Sequence, residues 1–172
     1  MLIGDNQAAV DAVARCAEGQ GLHTLVLSTT VTGETREIAK VFGAMAREIV
    51  ARGRPSRLPC CVVAGGETTV TVRGQGQGGR AQEFALAAAL EIAGLPKVWV
   101  AGFATDGTDG PTPAAGAVVN GGTVARAQRG KLDLRGALLA NDAYPIFKQL
   151  NGHIMTGPTG TNVNDLYVLL AL

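Results

Sequence analysis

A chain of 172 residues, 47% apolar and 17% charged, has material for one well-buried domain and too little for two ordinary ones. A net charge of +1 and 4% aromatic residues argue against a nucleic-acid binder, which needs a basic stripe and stacking surface. No apolar run reaches the roughly 18 residues of a membrane span, and the opening "MLIGDNQ" lacks the basic and apolar regions of a signal peptide.

In chain order, the first element expected is a helix over "GDNQAAVDAVARCAEGQG", with Asp5 as its N-cap and Gly19 or Gly21 as its stop. Only "MLI" precedes that segment, so any strand there would be a stub, and the chain reads as a piece of a longer protein. "HTLVLS" is a short strand. "TGETREIAKVFGAMAREIVARG" is an amphipathic helix with Ile38, Val41, Met45 and Ile49 on one face, ending at Gly53. "LPCCVVAGG" and "ETTVTVRG" are expected as two strands separated by a Gly-Gly break. Residues 80–93 form a helix and "KVWVAGFATDG" a buried strand. "AGAVVNGGTVARAQRG" supplies a short strand and a short helix, "LRGALLANDAYPIFKQLNG" a helix broken between Asn141 and Pro145, and "DLYVLLAL" a closing strand. Strands alternating with helices imply an α/β fold: a mostly parallel or mixed sheet with helices on both faces, in three layers and one domain.

In such sheets ligands bind beyond the carboxyl ends of the strands. Four loop clusters rich in Gly, Thr, Asp and Asn fit that position: "AGGETT", "GQGQGGRAQE", "ATDGTDGPT" and "TGPTGTNVND". The second has four glycines in the six positions 74–79, then Arg80 at the start of an Ala-rich helix. A dinucleotide fingerprint is matched literally by Gly74, Gly76 and Gly79, but the acid that should end the next strand about 20 residues on is missing. Asp106 lies further along, inside a loop. The general physics remains: bare amides at a helix N-terminus, here Gly76, Gly78 and Gly79, suit a phosphate or carboxylate. Arg80 adds a fork of donors. The plain alternative is a tight crossover loop with Arg80 paired to Glu83.

Asp106 and Asp109, each in an Asp-Gly unit, are candidate ligands for Mg²⁺, and Asp106 is equally a candidate base. Glu67, Thr105, Thr159 and Asn162 complete the set as substrate- or phosphate-binding groups. Both histidines, His23 and His153, are expected to be structural. The three thiols Cys16, Cys60 and Cys61 match neither a zinc site nor a redox pair; they are expected to be inert in a reducing cytoplasm.

Taken together, "TGETREIA", "GGETTVTVRGQGQGGRAQEFALAAAL", "ATDGTDGPTPAAGAVV", "LLANDAY" and "TGPTGTNVNDL" resemble, in order and over nearly the whole chain, the C-terminal part of the glycerate kinases of the MOFRL type. Members of that family also carry the name hydroxypyruvate reductase. The resemblance implies phosphorylation of D-glycerate with ATP and Mg²⁺ by a two-lobed protein, Arg80 and Asp106 matching active-site positions. It also implies an active-site lysine in an N-terminal lobe that this sequence lacks. Two positions depart from the family pattern: Ala81 stands where Asn is usual, and Pro113 where Asp is usual. An NAD(P)H-dependent hydroxypyruvate reductase and a non-catalytic binding module are the rival readings. No nucleic acid or membrane partner is expected, and a homo-oligomer is compatible with the sequence.

Overall fold

The computed structural model describes residues 4–172; the segment "MLI", where a strand stub was considered, lies outside the described residues. Six strands form one sheet in the order β1-β2-β6-β3-β4-β5. They are β1 (His23–Val31), β2 (Cys60–Gly66), β3 (Val98–Ala104), β4 (Gly116–Asn120), β5 (His153–Ile154) and β6 (Asp165–Ala171). Only β1 and β2 pair in parallel; the other four pairings are antiparallel. The sheet is therefore mixed and not mostly parallel, because the terminal strand β6 inserts between β2 and β3 and runs against both.

The helices are α1 (Asn6–Gly19), α2 (Thr35–Arg52), α3 (Arg80–Glu91), α4 (Thr123–Arg129), α5 (Leu134–Leu139) and α6 (Ala143–Leu150). Asp5 caps α1 by accepting from the Ala8 amide at 2.9 Å, and Gly53 ends α2 in the left-handed conformation, which costs glycine least. On one face α1 packs Val10 and Ala14 against Val63 and Leu166. The opposite face carries the main core, where Phe42 of α2, Phe84 of α3 and Tyr167 of β6 meet with ring centroids 4.6 to 6.4 Å apart. Residues 81–89 of α3 are all buried. Its run of alanines lets the helix lie close to both the sheet and α2, where Gly43 leaves no room for a side chain beside Glu91.

Three expectations need correction. "ETTVTVRG" is not a strand. Both sides of β2 are already paired, with β1 and β6, so its alternating Thr and Val find no partner and Val72 stands 75% exposed. Residues 67–79 are instead a long connection to α3, whose β-type pairing is limited to an isolated bridge between Glu34 and Thr69. Second, Val41 does not belong to the buried face of α2, which is made by Ala39, Phe42, Ala46 and Ile49. Third, the helix break falls at residues 140–142, and Pro145 lies in the first turn of α6, where its missing N–H has no partner to lose.

Candidate active site

The strand order fixes where the site lies. Because β6 is antiparallel to its neighbours, its first residue, Asp165, sits between the last residues of β2 and β3, opposite Gly66 and Ala104. The loops leaving β2 and β3 diverge there, and a cavity of about 580 Å³ opens between them. Gly76, Gly78, Gly79, Arg80, Asp106, Asp109 and Asn162 all line it, joined by Glu83, Asn141 and Asp165. Val70, Val72, Pro111 and Ala143 give it an apolar wall.

The glycine run has a different partner from the one its sequence suggests. A Cβ at Gly76 would lie 2.4 Å from Cβ of Asp142, and one at Gly79 would lie 2.3 Å from an Asp109 carboxylate oxygen. The loop is pressed against the α5–α6 turn and against Asp109, so the side chains are excluded by the protein itself. Hydrogen bonds hold the same surfaces: Gly76 N–H donates to Ala140 O at 3.1 Å and Gln77 N–H to the Asp142 carboxylate at 2.8 Å. Among the described residues, the amides of Gly78, Gly79 and Arg80 make no hydrogen bond, and all three residues line the cavity.

Asp109 is not placed as a metal ligand. Its carboxylate accepts from the amides of Ala81 and Gln82 at 3.1 and 2.8 Å and from the Gln82 side chain at 3.0 Å. It is a buried cap on the N-terminus of α3, where negative charge complements the helix dipole. Burial pushes its carboxyl above the ordinary value, against the lowering effect of the Gln82 and Ala81 amides. Asp106 is less enclosed. One oxygen accepts from the Thr108 amide at 3.0 Å and the other lies 3.5 Å from the Asn162 amide nitrogen.

Thr105 and Thr159 spend their hydroxyls on the backbone. Thr105 Oγ1 donates to Asn164 O and accepts from Val163 N–H, both at 2.8 Å, and Thr159 Oγ1 donates to Thr105 O at 2.5 Å. They staple the two loops together and do not present a group to the cavity. Neither histidine lines it either; His153 stacks on Tyr144 at 4.5 Å.

Arg80 does not pair with Glu83. Its Nη1 donates to Glu67 at 2.8 Å, and its Nε and Nη2 lie 3.1 and 3.4 Å from the two oxygens of Asp165. Glu83 belongs to another network: it accepts from Arg36 at 2.6 Å and from the Asn141 side chain at 2.8 Å. Asn141 Oδ1 in turn accepts from the amides of Arg73 and Gly74, which fixes the far end of the glycine loop. Asp165, Asn141 and Glu83 were not among the site residues expected from the sequence. The signal for Asp165 was a carboxylate heading the apolar run "LYVLLAL"; for Asn141 and Glu83 there was none beyond their presence in loop-flanking motifs.

Residues 60–165 match the model of the MOFRL family. The chain belongs to that family. Among its MOFRL-related proteins, the glycerate 2-kinase of Pyrococcus horikoshii is 41% identical over 170 residues, which are 98% of this chain and 38% of that protein. The D-glycerate 2-kinase of Thermotoga maritima is 39% identical, with 97% of this chain and 40% of that protein covered. A crystal structure of glycerate kinase from Thermotoga maritima superposes with a TM-score of 0.98 at 38% identity, over 100% of this chain and 42% of that one. This MOFRL chain thus spans about two fifths of the length of these relatives. Two similar proteins from Agrobacterium vitis, 37% and 36% identical, carry the hydroxypyruvate reductase name.

Proposed function

We propose that this chain is the C-terminal lobe of a glycerate kinase, which transfers the terminal phosphoryl group of ATP to D-glycerate, at its 2-hydroxyl as the names of the two archaeal and bacterial relatives indicate. The observation that carries the reading is the charge of the cavity. One arginine, Arg80, faces four carboxylates, Glu83, Asp106, Asp109 and Asp165, and no lysine. Phosphoryl transfer between two anions needs in-line positioning and charge neutralisation more than covalent chemistry. This crevice supplies positioning groups and too little positive charge, as expected of one half of a two-lobed site whose lysine comes from the other lobe.

The residues present fit Mg²⁺ in one way. Asp106 offers a carboxylate on the cavity rim, and Mg²⁺ is commonly held by one or two carboxylates together with substrate phosphates and water. Among the described residues no cluster of three His, Cys, Asp or Glu side chains forms a cage for it. When bound, the ion would neutralise phosphate charge. Of the chain's own residues, Gly78, Gly79 and Arg80 would offer backbone N–H groups to a phosphate or to the glycerate carboxylate. Arg80 would add a charged donor, and Asn162 would orient Asp106. Val70 and Val72 give an apolar surface on which part of the nucleotide can rest.

The reductase reading draws its only residue-level support from the literal fingerprint at Gly74, Gly76 and Gly79. Those glycines are packed against Ala140, Asp142 and Asp109, and Asp109 already occupies the first amides of α3. A dinucleotide also needs an acid ending the next strand to meet its ribose, and β3 ends instead in Ala104. The test is to assay this chain, and the longer protein with both lobes, for ATP-dependent consumption of D-glycerate and for NAD(P)H oxidation with hydroxypyruvate. The two-lobed protein should show only the first activity and the isolated chain neither. Reductase activity without phosphorylated product would refute the proposal.

A further inference from the structure

Arg80 has two acidic neighbours of very different character. Glu67 lies on the connection after β2 with its side chain 57% exposed, while Asp165 is 1% exposed and fixed at the start of the central strand β6. Behind Asp165 runs a buried chain of hydroxyls. Tyr167 donates to Asp165 at 3.2 Å, and with its single proton so used it accepts from Thr68 at 2.8 Å. Such a chain is fully satisfied and sits in the low-dielectric core, where it resists rearrangement. Arg80 spends one N–H of Nη1 on Glu67 and one of Nη2 on Asp165. Each terminal nitrogen carries two N–H bonds, so one on each has no protein acceptor among the described residues, and Arg80 lines the cavity.

We propose that Asp165 is the positioning residue for Arg80. It grips the guanidinium along its Nε–Nη2 edge, braced by Tyr167 and Thr68, and so keeps the two unspent N–H bonds available to an anion in the cavity. Glu67, being exposed, only trims the pose. The proposal deepens the kinase reading, since it is that reading which gives Arg80 an anionic substrate to meet. Asp165 itself touches no substrate in this role.

The experiment is nuclear magnetic resonance of the guanidinium groups in the full 172-residue chain without substrate, reading rotation about the Nε–Cζ bond of each arginine. Internal standards are present: Arg36, held at 2.6 Å by Glu83 and 11% exposed, and Arg52, 61% exposed with one solvent-screened contact to Glu48 at 2.8 Å. Arg80 should rotate slowly, like Arg36. In Asp165→Asn its rotation should speed up by about tenfold or more, the scale of losing a charge-assisted hydrogen bond. In Glu67→Gln it should stay slow. A wild-type Arg80 that rotates as freely as Arg52 overturns the proposal, and so does an Arg80 released by Glu67→Gln. An unchanged rate in Asp165→Asn overturns it as well. If Asp165→Asn does not fold, the wild-type comparison and Glu67→Gln still decide. Because no substrate is used, a slow Arg80 stands even if the longer protein phosphorylates no glycerate; a free Arg80 in an active kinase removes the positioning role alone.

Discussion

Asp109 and Gln82 are joined three times: the Asp109 carboxylate accepts from the Gln82 backbone at 2.8 Å and from its side chain at 3.0 Å, and the Asp109 carbonyl accepts from the same side chain at 3.3 Å. The pair welds the loop after β3 to the first turn of α3, helped by Thr112, whose hydroxyl accepts from the Gln82 side chain at 2.9 Å. Asp109→Ala would leave the amides of Ala81 and Gln82 without an acceptor in the buried interior. We expect a loss of about 2 to 3 kcal/mol, the combined scale of a lost cap and a lost charged acceptor, measured by urea denaturation.

Asp106→Asn should behave in the opposite way. Its contacts are an Asx-type bond to Thr108 and a long contact to Asn162, so stability should change by less than about 0.5 kcal/mol, as for a surface substitution. Turnover of D-glycerate by the two-lobed protein should be abolished. Unchanged turnover in Asp106→Asn would refute its assignment to the site.

Arg80→Lys keeps the charge and loses the planar fork. In the two-lobed protein, affinity for glycerate or nucleotide should fall by roughly 1 to 3 kcal/mol, read by calorimetric titration. Unchanged binding would mean that the anion is met elsewhere.

Gly79→Ala should destabilise the chain, because its new methyl would lie 2.3 Å from Asp109 Oδ1, a group fixed by the helix amides. Overpacking of this kind costs about 1 to 3 kcal/mol. Gly19→Ala is the control: nothing lies within 4 Å of the added carbon, and alanine favours the helix. Thermal melts of the two variants should move in opposite directions.

Burial pushes the Asp165 carboxyl from 3.8 up to about 6, with Asp109 adding to it and Arg80 and Tyr167 opposing. The folded state therefore binds this proton more tightly than the unfolded chain. Its contribution to stability is complete below about pH 4 and is lost as pH rises through about 6. Asp165→Asn removes the titration, so its stability relative to the wild type should rise over that window. A difference that stays flat with pH would contradict the raised value.

The sequence alone determined most of the elements and the family, because both are written in local order. Helical spacing, the Asp5 cap, the Gly53 stop and the motifs around Arg80 and Asp106 each span a few consecutive residues, and their physics is complete within that span. It also marked the loops that meet at the cavity. What only the tertiary structure decided was which groups those loops had left to offer. Gly76 and Asp142 are far apart in the chain, as are Arg80 and Asp165, and no local pattern says that they touch. The insertion of β6 between β2 and β3 is what brings Asp165 to Arg80 and denies "ETTVTVRG" a strand partner. Pairing of the last strand with the middle of the sheet is set by burial summed over the whole chain, a quantity that no single segment carries.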